Sequence, residues 1–546
     1  MPDALSVSPK RRGPVDSKFL SRMLTSVRAQ DLSRLDVSLA ALSAALLILS
    51  FPNFNLWPLA WFGLAPLVIA LLRSPRFTFR AFILGWIAGT VFFYGSCYWL
   101  TYAAIRYGNV PTIVAYLALI PASAIGGLFP AFFALLLGRV IARFGIKSLL
   151  FAPFIWVAME WARLGITGQL WNAIGYSQAF VPSLIQSARW GGVYAIGFLI
   201  LTTNAAIAFV WIRRSRHSVG VTGVTIVCIA VIIVWQNYAS SQPPTKSDPS
   251  SSNTVVIAIQ PNVPMEPVES LEETDALVAR HVAMSKNALD AITNPTTQRV
   301  VIWPESPMNF MYARDPQFRD LLAAFTKANR TSVVLNALEP APDGGSYNAA
   351  IMVNEEGRLT AQYDKIRLLP FGEYVPIPRW VPGASFIPAM VGDFTPGVDY
   401  PLLQLGNARA GIFICYEAAF PYIARRFAND GADLLVNISN DGYLGPTPVM
   451  KQHLANAVFR AVENRRPLLR VTNTGITAYI TPQGTIQDAT NGYETAVRTW
   501  SSGRTSNVKT FYTRHGDLFV GFCAAVTLLL LVASSSSIGK LLNLKI

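Results

Sequence analysis

Three polar side chains in the second half of the chain directly follow apolar runs, a position where α/β proteins tend to form active sites. Glu305 ends Val-Val-Ile-Trp-Pro-Glu, Lys365 follows residues 361–364, and Cys415 ends Gly-Ile-Phe-Ile-Cys. One thiol, one carboxylate and one ammonium suffice for acyl transfer. The carboxylate takes the thiol proton, the thiolate attacks a carbonyl, and the ammonium and backbone N–H groups hold the oxyanion. From spacing alone, a buried inert cysteine stays an open alternative.

The segments around these residues alternate between short β-branched runs and helical patterns, which predicts an α/β domain over 253–500. Strands are expected at 254–259, 299–303, 332–336, 349–353, 358–363, 410–414, 433–438, 468–472 and 477–481, and helices at 273–293, 315–329, 417–428 and 450–465. A helix that begins just beyond Cys415 would favour the thiolate through its N-terminal dipole.

The first half of the chain has a membrane composition. Overall, 52% of the residues are hydrophobic and only 14% are charged, which excludes an ordinary cytosolic enzyme, a disordered chain and a fibrous one. Apolar runs near the length that crosses a bilayer lie at 37–52, 56–72, 81–104, 112–138, 148–162, 190–212, 219–236 and 516–534. They predict a membrane domain over 37–237 with about seven spans, and a final span at 516–534.

The basic residues cluster in every second connection between these runs, so the net charge of +14 is expected to set membrane topology rather than to bind nucleic acid. The tails 1–36 and 535–546 are then cytoplasmic. The α/β domain, joined by linkers 238–252 and 501–515, is extracytoplasmic. We expect Glu160 to be either an interfacial acid or part of a polar site. The loop 163–189 is expected to be either a substrate surface or an aromatic belt.

The sequence contains no pattern that predicts a metal or a cofactor. Its four cysteines are too few for a disulfide framework, and only Cys415 lies in the polar half. There is no Cys/His cluster with ligand spacing, no phosphate-binding P-loop and no dinucleotide-binding glycine motif.

Several strings resemble the nitrilase, or carbon–nitrogen hydrolase, superfamily: Trp-Pro-Glu at 303–305, Tyr-Asp-Lys-Ile-Arg-Leu-Leu-Pro-Phe-Gly-Glu-Tyr-Val-Pro at 363–376, and Cys-Tyr-Glu at 415–417. The strings at 260–264 and 466–478, set between a multi-span region and one last span, resemble the apolipoprotein N-acyltransferase family within it. The likeness extends from about 37 to 534.

This resemblance implies an αββα sandwich and a catalytic triad of Glu305, Lys365 and Cys415, supported by Glu373, Tyr416 and Glu417. It also implies a two-step reaction. Cys415 takes an acyl chain from a membrane phospholipid as a thioester, and the α-amino group of an apolipoprotein's diacylglyceryl-cysteine then accepts that chain.

Side chains near the predicted site are candidates for lipid contact: Phe386, Ile387, Met390 and Tyr443. Ordinary packing is the alternative for these residues. Gly442-Tyr443-Leu444-Gly445 departs from the Trp-Phe-Gly-like segment common in the family, which concerns acyl preference rather than chemistry. His453 suggests a Cys–His pair, but the Glu and Lys motifs argue against a catalytic role for it.

Two other functions compete with this one. They are a membrane-tethered amidase acting on small amides, and a transporter with an inactive nitrilase domain.

Overall fold

The computed structural model describes residues 32–73, 78–241, 254–265, 270–294, 296–305, 307–308, 310–376, 380, 392–505 and 508–535. The first half is helical, an α/β domain follows, and one last apolar helix ends the described chain.

The helices of the first half are α1 Arg34–Ser50, α2 Ala60–Gly63, α3 Ala65–Arg73, α4 Thr78–Ser96, α5 Leu100–Arg106, α6 Thr112–Phe144, α7 Ala152–Thr167, α8 Ala188–Gly191, α9 Val193–Arg213 and α10 Arg216–Ser241. Among the described residues, five helical stretches are long and apolar enough to cross a membrane: Phe79–Ser96, Thr112–Phe144, Ile146–Thr167, Val193–Arg213 and Arg216–Ser240. Shorter apolar stretches lie at Trp57–Arg73 and Leu518–Ser534. The expectation of eight spans therefore stays a prediction.

The predicted second span is broken into a 3₁₀ turn at Trp57–Leu59 followed by α2 and α3. The break leaves backbone groups without helical partners, and the buried side chain of Asn204 on α9 replaces those partners. Its Oδ1 accepts the N–H groups of Leu64 and Ala65 at 2.7 and 2.8 Å, and its Nδ2 donates to the Ala60 carbonyl at 2.9 Å. A neighbouring helix thus satisfies the interrupted backbone, as a proline-containing membrane segment requires.

The predicted third span, 81–104, is not continuous. Helix α4 ends at Ser96, and α5 begins only at Leu100. The Trp99 indole N–H donates to the Ser96 carbonyl at 3.1 Å, and the side chain of Gln452 donates to the same oxygen at 2.9 Å. These two bonds occupy the acceptor that the next helical turn would have used. The expectation of one helix there is corrected, since hydropathy does not report such tertiary bonds.

The described part of the α/β domain contains twelve strands: β1 Thr254–Gln260, β2 Gln298–Ile302, β3 Ser332–Pro340, β4 Ser346–Val353, β5 Leu359–Asp364, β6 Leu402–Leu405, β7 Ala408–Ile414, β8 Leu434–Ser439, β9 Leu468–Thr472, β10 Ala478–Ile480, β11 Ile486–Gln487 and β12 Ala496–Ser502. The remaining helices are α11 Leu271–Asp290, α12 Pro316–Asn329, α13 Pro421–Asn429, α14 Val449–Asn464, α15 Phe511–His515 and α16 Leu518–Ser534.

These strands form two six-stranded sheets, ordered β12-β1-β2-β3-β4-β5 and β11-β10-β9-β8-β7-β6. Each sheet has a parallel centre, β1-β2-β3 in one and β7-β8-β9 in the other, with antiparallel strands at its edges. Along β1, Val256 and Ala258 belong to the core shared with the second sheet, whereas Ile257 and Ile259 belong to the core under α11 and α12. This alternation produces the predicted αββα layering.

Local sequence signals mark where helices of this domain begin. The Ser270 hydroxyl accepts the Glu273 N–H at 3.1 Å at the start of α11, and Asp315 caps α12 at the Phe318 N–H, with Pro316 in the first position. Helix α14 lies between the second sheet and the helical half, so every residue from Gln452 to Asn464 is buried.

The end of the domain differs from the expectation. Strand β12 pairs antiparallel with β1 up to Ser502, and α15 lies inside the predicted return linker 501–515, where Tyr512 is buried. Strands β6, β11 and β12 were not expected; β11 has only two residues, and β12 has a mostly half-exposed burial pattern, so both give weak sequence signals. Helix α10 runs to Ser241, into the predicted linker 238–252.

Candidate active site

Three of the predicted residues meet where strands of the two sheets end. Lys365 follows β5, Glu305 lies beyond β2, and Cys415 follows β7. The Lys365 Nζ lies 3.3 Å from Glu305 Oε1, and all but 1% of the lysine surface is buried. Asn440 connects these groups to the cysteine, since its N–H donates to Glu305 Oε2 at 3.0 Å and its carbonyl oxygen lies 4.0 Å from Cys415 Sγ.

A second carboxylate, that of Glu373, shares the ammonium. Its Oε1 lies 2.8 Å from Lys365 Nζ, and its Oε2 accepts the Leu369 N–H at 2.7 Å, which fixes the side chain. Burial alone would lower the pKa of Lys365, but the carboxylates of Glu305 and Glu373 outweigh it and hold that pKa well above its usual range. The lysine therefore stays a cation inside the protein.

Asn348 on β4 was missed by sequence reasoning and lies at the centre of this cluster. Its Nδ2 donates to Glu305 Oε1 at 3.1 Å and to Glu373 Oε1 at 2.6 Å. The backbone carbonyl oxygen of Asn348 accepts the backbone N–H of Lys365 at 2.9 Å. The available signal was a lone amide before the apolar run 349–353, but only the strand pairing shows what it faces.

Cys415 lies in a sharp turn rather than at the start of a helix. Its φ of +50° is left-handed, and residues Cys415–Ala419 form one 3₁₀ turn before α13 begins at Pro421. The expected thiolate is corrected as well. Burial, followed by the negative charge of Glu305, raises the pKa of the Cys415 thiol although Lys365 opposes it. The Cys415 side chain is therefore a thiol at rest, and it would need a base to act as a nucleophile.

Glu417 joins the segment after Lys365 to the cysteine turn. Its Oε1 accepts the N–H groups of Ile366 and Arg367 at 2.7 and 3.0 Å, and its Oε2 accepts the N–H of Ile414 at 2.7 Å. The Tyr363 hydroxyl lies 2.8 Å from both oxygens. Burial raises the pKa of Glu417 to about 7, although these donors favour the ionised form. The side chain acts as a clamp between two strand ends.

The predicted aromatic residues face the helical half. The Tyr416 ring stacks on Trp171 with centroids 6.2 Å apart, and the Tyr443 ring meets Tyr107 edge to face at 6.2 Å. Burial raises the pKa of Tyr443, and the carboxylates of Glu305 and Glu373 add to this. Phe386, Ile387 and Met390 lie outside the described residues.

The segment Gly442–Leu444, where the sequence departs from the family pattern, packs against α5. Gly445 has a left-handed φ of +70°, and a Cβ there would lie 2.5 Å from the Tyr102 ring. Beside it is a cavity of about 410 Å³, lined by Tyr98, Trp99, Tyr102, Arg106, Tyr116 and Thr447, among others. The segment after this loop therefore reaches, through Thr447, a cavity whose other lining residues belong to the helical half.

His453 and Asp441 form a separate group that does not include the sulfur. The His453 Nδ1 lies 2.8 Å from Asp441 Oδ1, and its Nε2 lies 2.8 Å from the carbonyl oxygen of Cys415. Asp441 also pairs with the buried Arg470 at 2.8 Å. Burial would raise the pKa of Asp441, but Arg470 and His453 lower it to about 2.

Burial excludes one of the two alternatives expected for Glu160 and for the loop 163–189. Glu160 is buried and its Oε1 accepts the Ile174 N–H at 2.7 Å, so it does not reach out to an interface. Trp171 and Tyr176 are buried between the two halves, which excludes an aromatic belt at these positions. Among the described residues, no group of three or more His, Cys, Asp and Glu side chains is arranged to hold a metal ion.

Models of known protein families match both halves of the chain. The model of the apolipoprotein N-acyltransferase N-terminal domain matches residues 43–206, and the carbon-nitrogen hydrolase model matches residues 258–501. An apolipoprotein N-acyltransferase of Geobacter metallireducens is 34% identical over 501 residues, which cover 90% of this chain and 94% of that protein. The chain belongs to the apolipoprotein N-acyltransferase family.

Other known proteins are similar to this chain over most of its length or over part of it. An apolipoprotein N-acyltransferase of Chlorobaculum tepidum is 28% identical and covers 91% of this chain and 96% of its own length. Saccharomyces cerevisiae Nit3, a member of branch 10 of the nitrilase superfamily, is 19% identical with a TM-score of 0.35 and covers 46% of this chain and 90% of its own length. The assignment rests on the sequence relatives and the family models.

Membership of the apolipoprotein N-acyltransferase family confirms the predicted family, the predicted combination of apolar helices with a nitrilase-like α/β domain, and an acyltransferase activity in lipoprotein maturation. The chain is a bacterial membrane protein. Glu305, Lys365 and Cys415 all lie inside the segment matched by the carbon-nitrogen hydrolase model.

Proposed function

We propose that this acyltransferase moves a fatty acyl chain from a membrane phospholipid to Cys415, and from there to the α-amino group of an apolipoprotein's N-terminal diacylglyceryl-cysteine. The observation that carries the proposal is the buried contact of Lys365 with Glu305, which Asn440 connects to the cysteine sulfur. A buried acid, a buried ammonium and a partly buried thiol at adjoining strand ends have the composition that acyl transfer through a thioester requires.

In the first step, the Glu305 carboxylate takes the proton of the Cys415 thiol while the sulfur attacks the ester carbonyl carbon of the phospholipid. Lys365 holds the negative charge that develops on the carbonyl oxygen. The C–O bond of the ester then breaks, and Glu305 returns the proton to the departing alkoxide. The products are a thioester on Cys415 and a lysophospholipid.

In the second step, the free amine of the lipoprotein attacks the thioester carbon. Glu305 takes a proton from the nitrogen, the C–S bond breaks, and the proton returns to the sulfur. The products are an amide and a free Cys415 thiol. Water must be kept away between the steps, or the thioester is lost to hydrolysis. The burial of the cluster and the loop Gly442–Leu444 support such exclusion.

The supporting residues have separable roles in this proposal. Glu373 and Asn348 hold the Lys365 ammonium and the Glu305 carboxylate in place relative to each other. Glu417 holds the cysteine turn against the segment after Lys365. The cavity beside Gly445 is of a size typical for ligand sites, roughly 300–1,000 Å³, and its aromatic walls suit a lipid substrate.

We further propose that the α/β domain is extracytoplasmic. Arg73 and Arg80 pair with Asp36 at one end of the helical half, whereas Gln452 of the α/β domain contacts Pro52 and Ser96 at the other end. Because basic residues favour the cytoplasmic side, the α/β domain lies opposite to them. Lipoprotein precursors that have crossed the membrane would meet the site there.

Two experiments test this function. Cys415→Ala should abolish both lysophospholipid release and transfer to a diacylated lipopeptide, whereas a transporter or a scaffold would be unaffected by the change.

The second experiment tests the orientation of the α/β domain. A membrane-impermeant maleimide should label Glu355→Cys, in the exposed β4–β5 turn, in intact cells but should not label Arg214→Cys, with the unsubstituted chain as baseline. The reverse labelling pattern would place the site in the cytoplasm and contradict the proposal.

A further inference from the structure

Two consecutive residues in the first turn of α14 make different contacts. Gln452 contacts the membrane domain, and His453 contacts the turn that carries Cys415. Neither contact involves the sulfur. Both side chains are buried, so what they hold in place is determined by their hydrogen-bond partners.

The Gln452 amide has its full set of partners, and all of them come from the membrane domain. Its Oε1 accepts the indole N–H groups of Trp99 at 3.0 Å and Trp171 at 2.8 Å. Its Nε2 donates to the carbonyl oxygens of Pro52 and Ser96, both at 2.9 Å. These partners come from three separate parts of the membrane domain, so the first turn of α14 cannot move without breaking several buried bonds.

His453 connects this fixed turn of α14 to the backbone of Cys415. Its Nε2 lies 2.8 Å from the Cys415 carbonyl oxygen and its Nδ1 lies 2.8 Å from the Asp441 carboxylate. Because both partners are acceptors, the ring donates to both only as an imidazolium, a form that the Asp441 carboxylate favours and burial opposes. The ring also contacts Trp171, with centroids 5.5 Å apart. Trp171 is therefore shared between Gln452 and His453 at the boundary between the two domains.

The contact matters because the backbone of Cys415 is in a conformation that a non-glycine residue disfavours. At φ +50° the residue needs its surroundings to hold it there. The side chain of Asn437 reaches the same carbonyl oxygen only at 3.4 Å, a longer and weaker contact than that of His453. His453 is the closer of the two side-chain donors.

We propose that His453 is a positioning residue that holds the Cys415 backbone in its reactive turn, and that Gln452 anchors this contact to the membrane domain. The nucleophile is then aligned only when the α/β domain is seated on the helices that bring lipid to it. This inference rests on the proposed function, since it assumes that Cys415 is the group that becomes acylated.

The test exploits the two different amide replacements of histidine. A glutamine at 453 can place an N–H near the position of Nε2, whereas an asparagine reaches only the position of Nδ1. The single-turnover rate of Cys415 acylation is measured by intact mass in mixed micelles containing phosphatidylethanolamine. Because a misplacement of about 1 Å can cost roughly 100-fold in rate, we expect His453→Asn to lose about 10- to 100-fold at saturating lipid.

His453→Gln should stay within about threefold of the unsubstituted enzyme, because it keeps the donor to the Cys415 carbonyl. The lipid concentration that gives half the maximal rate should be unchanged in both variants, since no lipid contact is assigned to position 453. A general loss of structure would instead slow both variants alike. If His453→Gln is no faster than His453→Asn, or if His453→Asn matches the unsubstituted enzyme, the positioning role is wrong.

Gln452→Met provides a second arm if a histidine variant does not fold. It removes the four bonds at similar size, and Gln186→Met is the matched control, because Gln186 also bonds across the boundary, to the Gln483 carbonyl, away from Cys415. Acylation should slow about tenfold or more in Gln452→Met and stay within about twofold in Gln186→Met. Equal rates would overturn the anchoring role. A failure of the unsubstituted enzyme to acylate Cys415 would instead refute the proposed function.

Discussion

Replacing Glu417 by glutamine tests whether the carboxylate clamp positions the nucleophile. The carboxylate accepts three backbone N–H groups, two on Oε1 and one on Oε2. A glutamine offers one oxygen, so in its best orientation it keeps the bonds to Ile366 and Arg367 and turns its NH₂ group towards the N–H of Ile414. The change leaves that donor buried and unpaired, directly before Cys415.

The size of the effect follows from these bonds. A hydrogen bond to a charged group contributes about 1.5–3 kcal/mol, and leaving its partner buried without an acceptor adds to the loss. We therefore expect Glu417→Gln to destabilise the protein by about 2–4 kcal/mol. For domains of comparable size, 2 kcal/mol corresponds to a fall of roughly 4–8 °C in the melting temperature.

The assay combines a thermal melt in detergent with the rate of Cys415 acylation by phospholipid. The displaced turn should slow acylation by about 10- to 100-fold. Glu355→Gln, in the exposed turn between β4 and β5, is the matched control and should change neither quantity. If Glu417→Gln melts and reacts like this control, the clamp does not position the cysteine, and the argument from its hydrogen bonds is refuted.

Three further predictions concern the same site. Asn348→Leu, which removes the donor to Glu305 and Glu373, should slow lysophospholipid release about 100-fold, and an unchanged rate would show that the two carboxylates need no bridge. The pKa of Asp441, about 2 in the folded protein against 3.8, means that its stabilising contribution is complete above pH 4 and is lost as the pH falls towards 2. Asp441→Asn should therefore remove about 2 kcal/mol of the acid-dependent loss of stability seen in urea melts between pH 4 and pH 2, and identical slopes would contradict the pairing with Arg470. A chelator such as EDTA should leave acylation unchanged, and a loss restored by added metal would contradict a metal-free site.

The candidate catalytic residues could be picked out from the sequence because they lie in local strings. Glu305, Lys365 and Cys415 each follow an apolar strand, and strand ends at one edge of a sheet lie near one another. The layered fold could be predicted for the same reason, since alternating strand and helix patterns have few packing solutions. What local patterns specify is therefore the elements and the residues at their ends.

The parts that could not be predicted depend on contacts between distant segments. Asn348 reaches Glu305 only because β2, β3 and β4 are neighbours in one sheet, and His453 acts through a backbone carbonyl that carries no sequence signal. The end of α4 at Ser96 is likewise imposed by Gln452, about 350 residues away in the chain. Cys415 was expected at a helix start because the residues after it favour helix, but the chain makes one 3₁₀ turn and restarts at Pro421.

The central claim is that Cys415 carries the acyl chain between the two lipid substrates, and intact mass spectrometry tests it most directly. The purified enzyme, incubated with phosphatidylethanolamine, should gain the mass of one fatty acyl group on Cys415. A diacylated lipopeptide with a free N-terminal amine should then discharge the adduct, and the N-acetylated form of that lipopeptide should not. An enzyme without an adduct, an adduct on another residue, or equal discharge by both peptides would contradict the account.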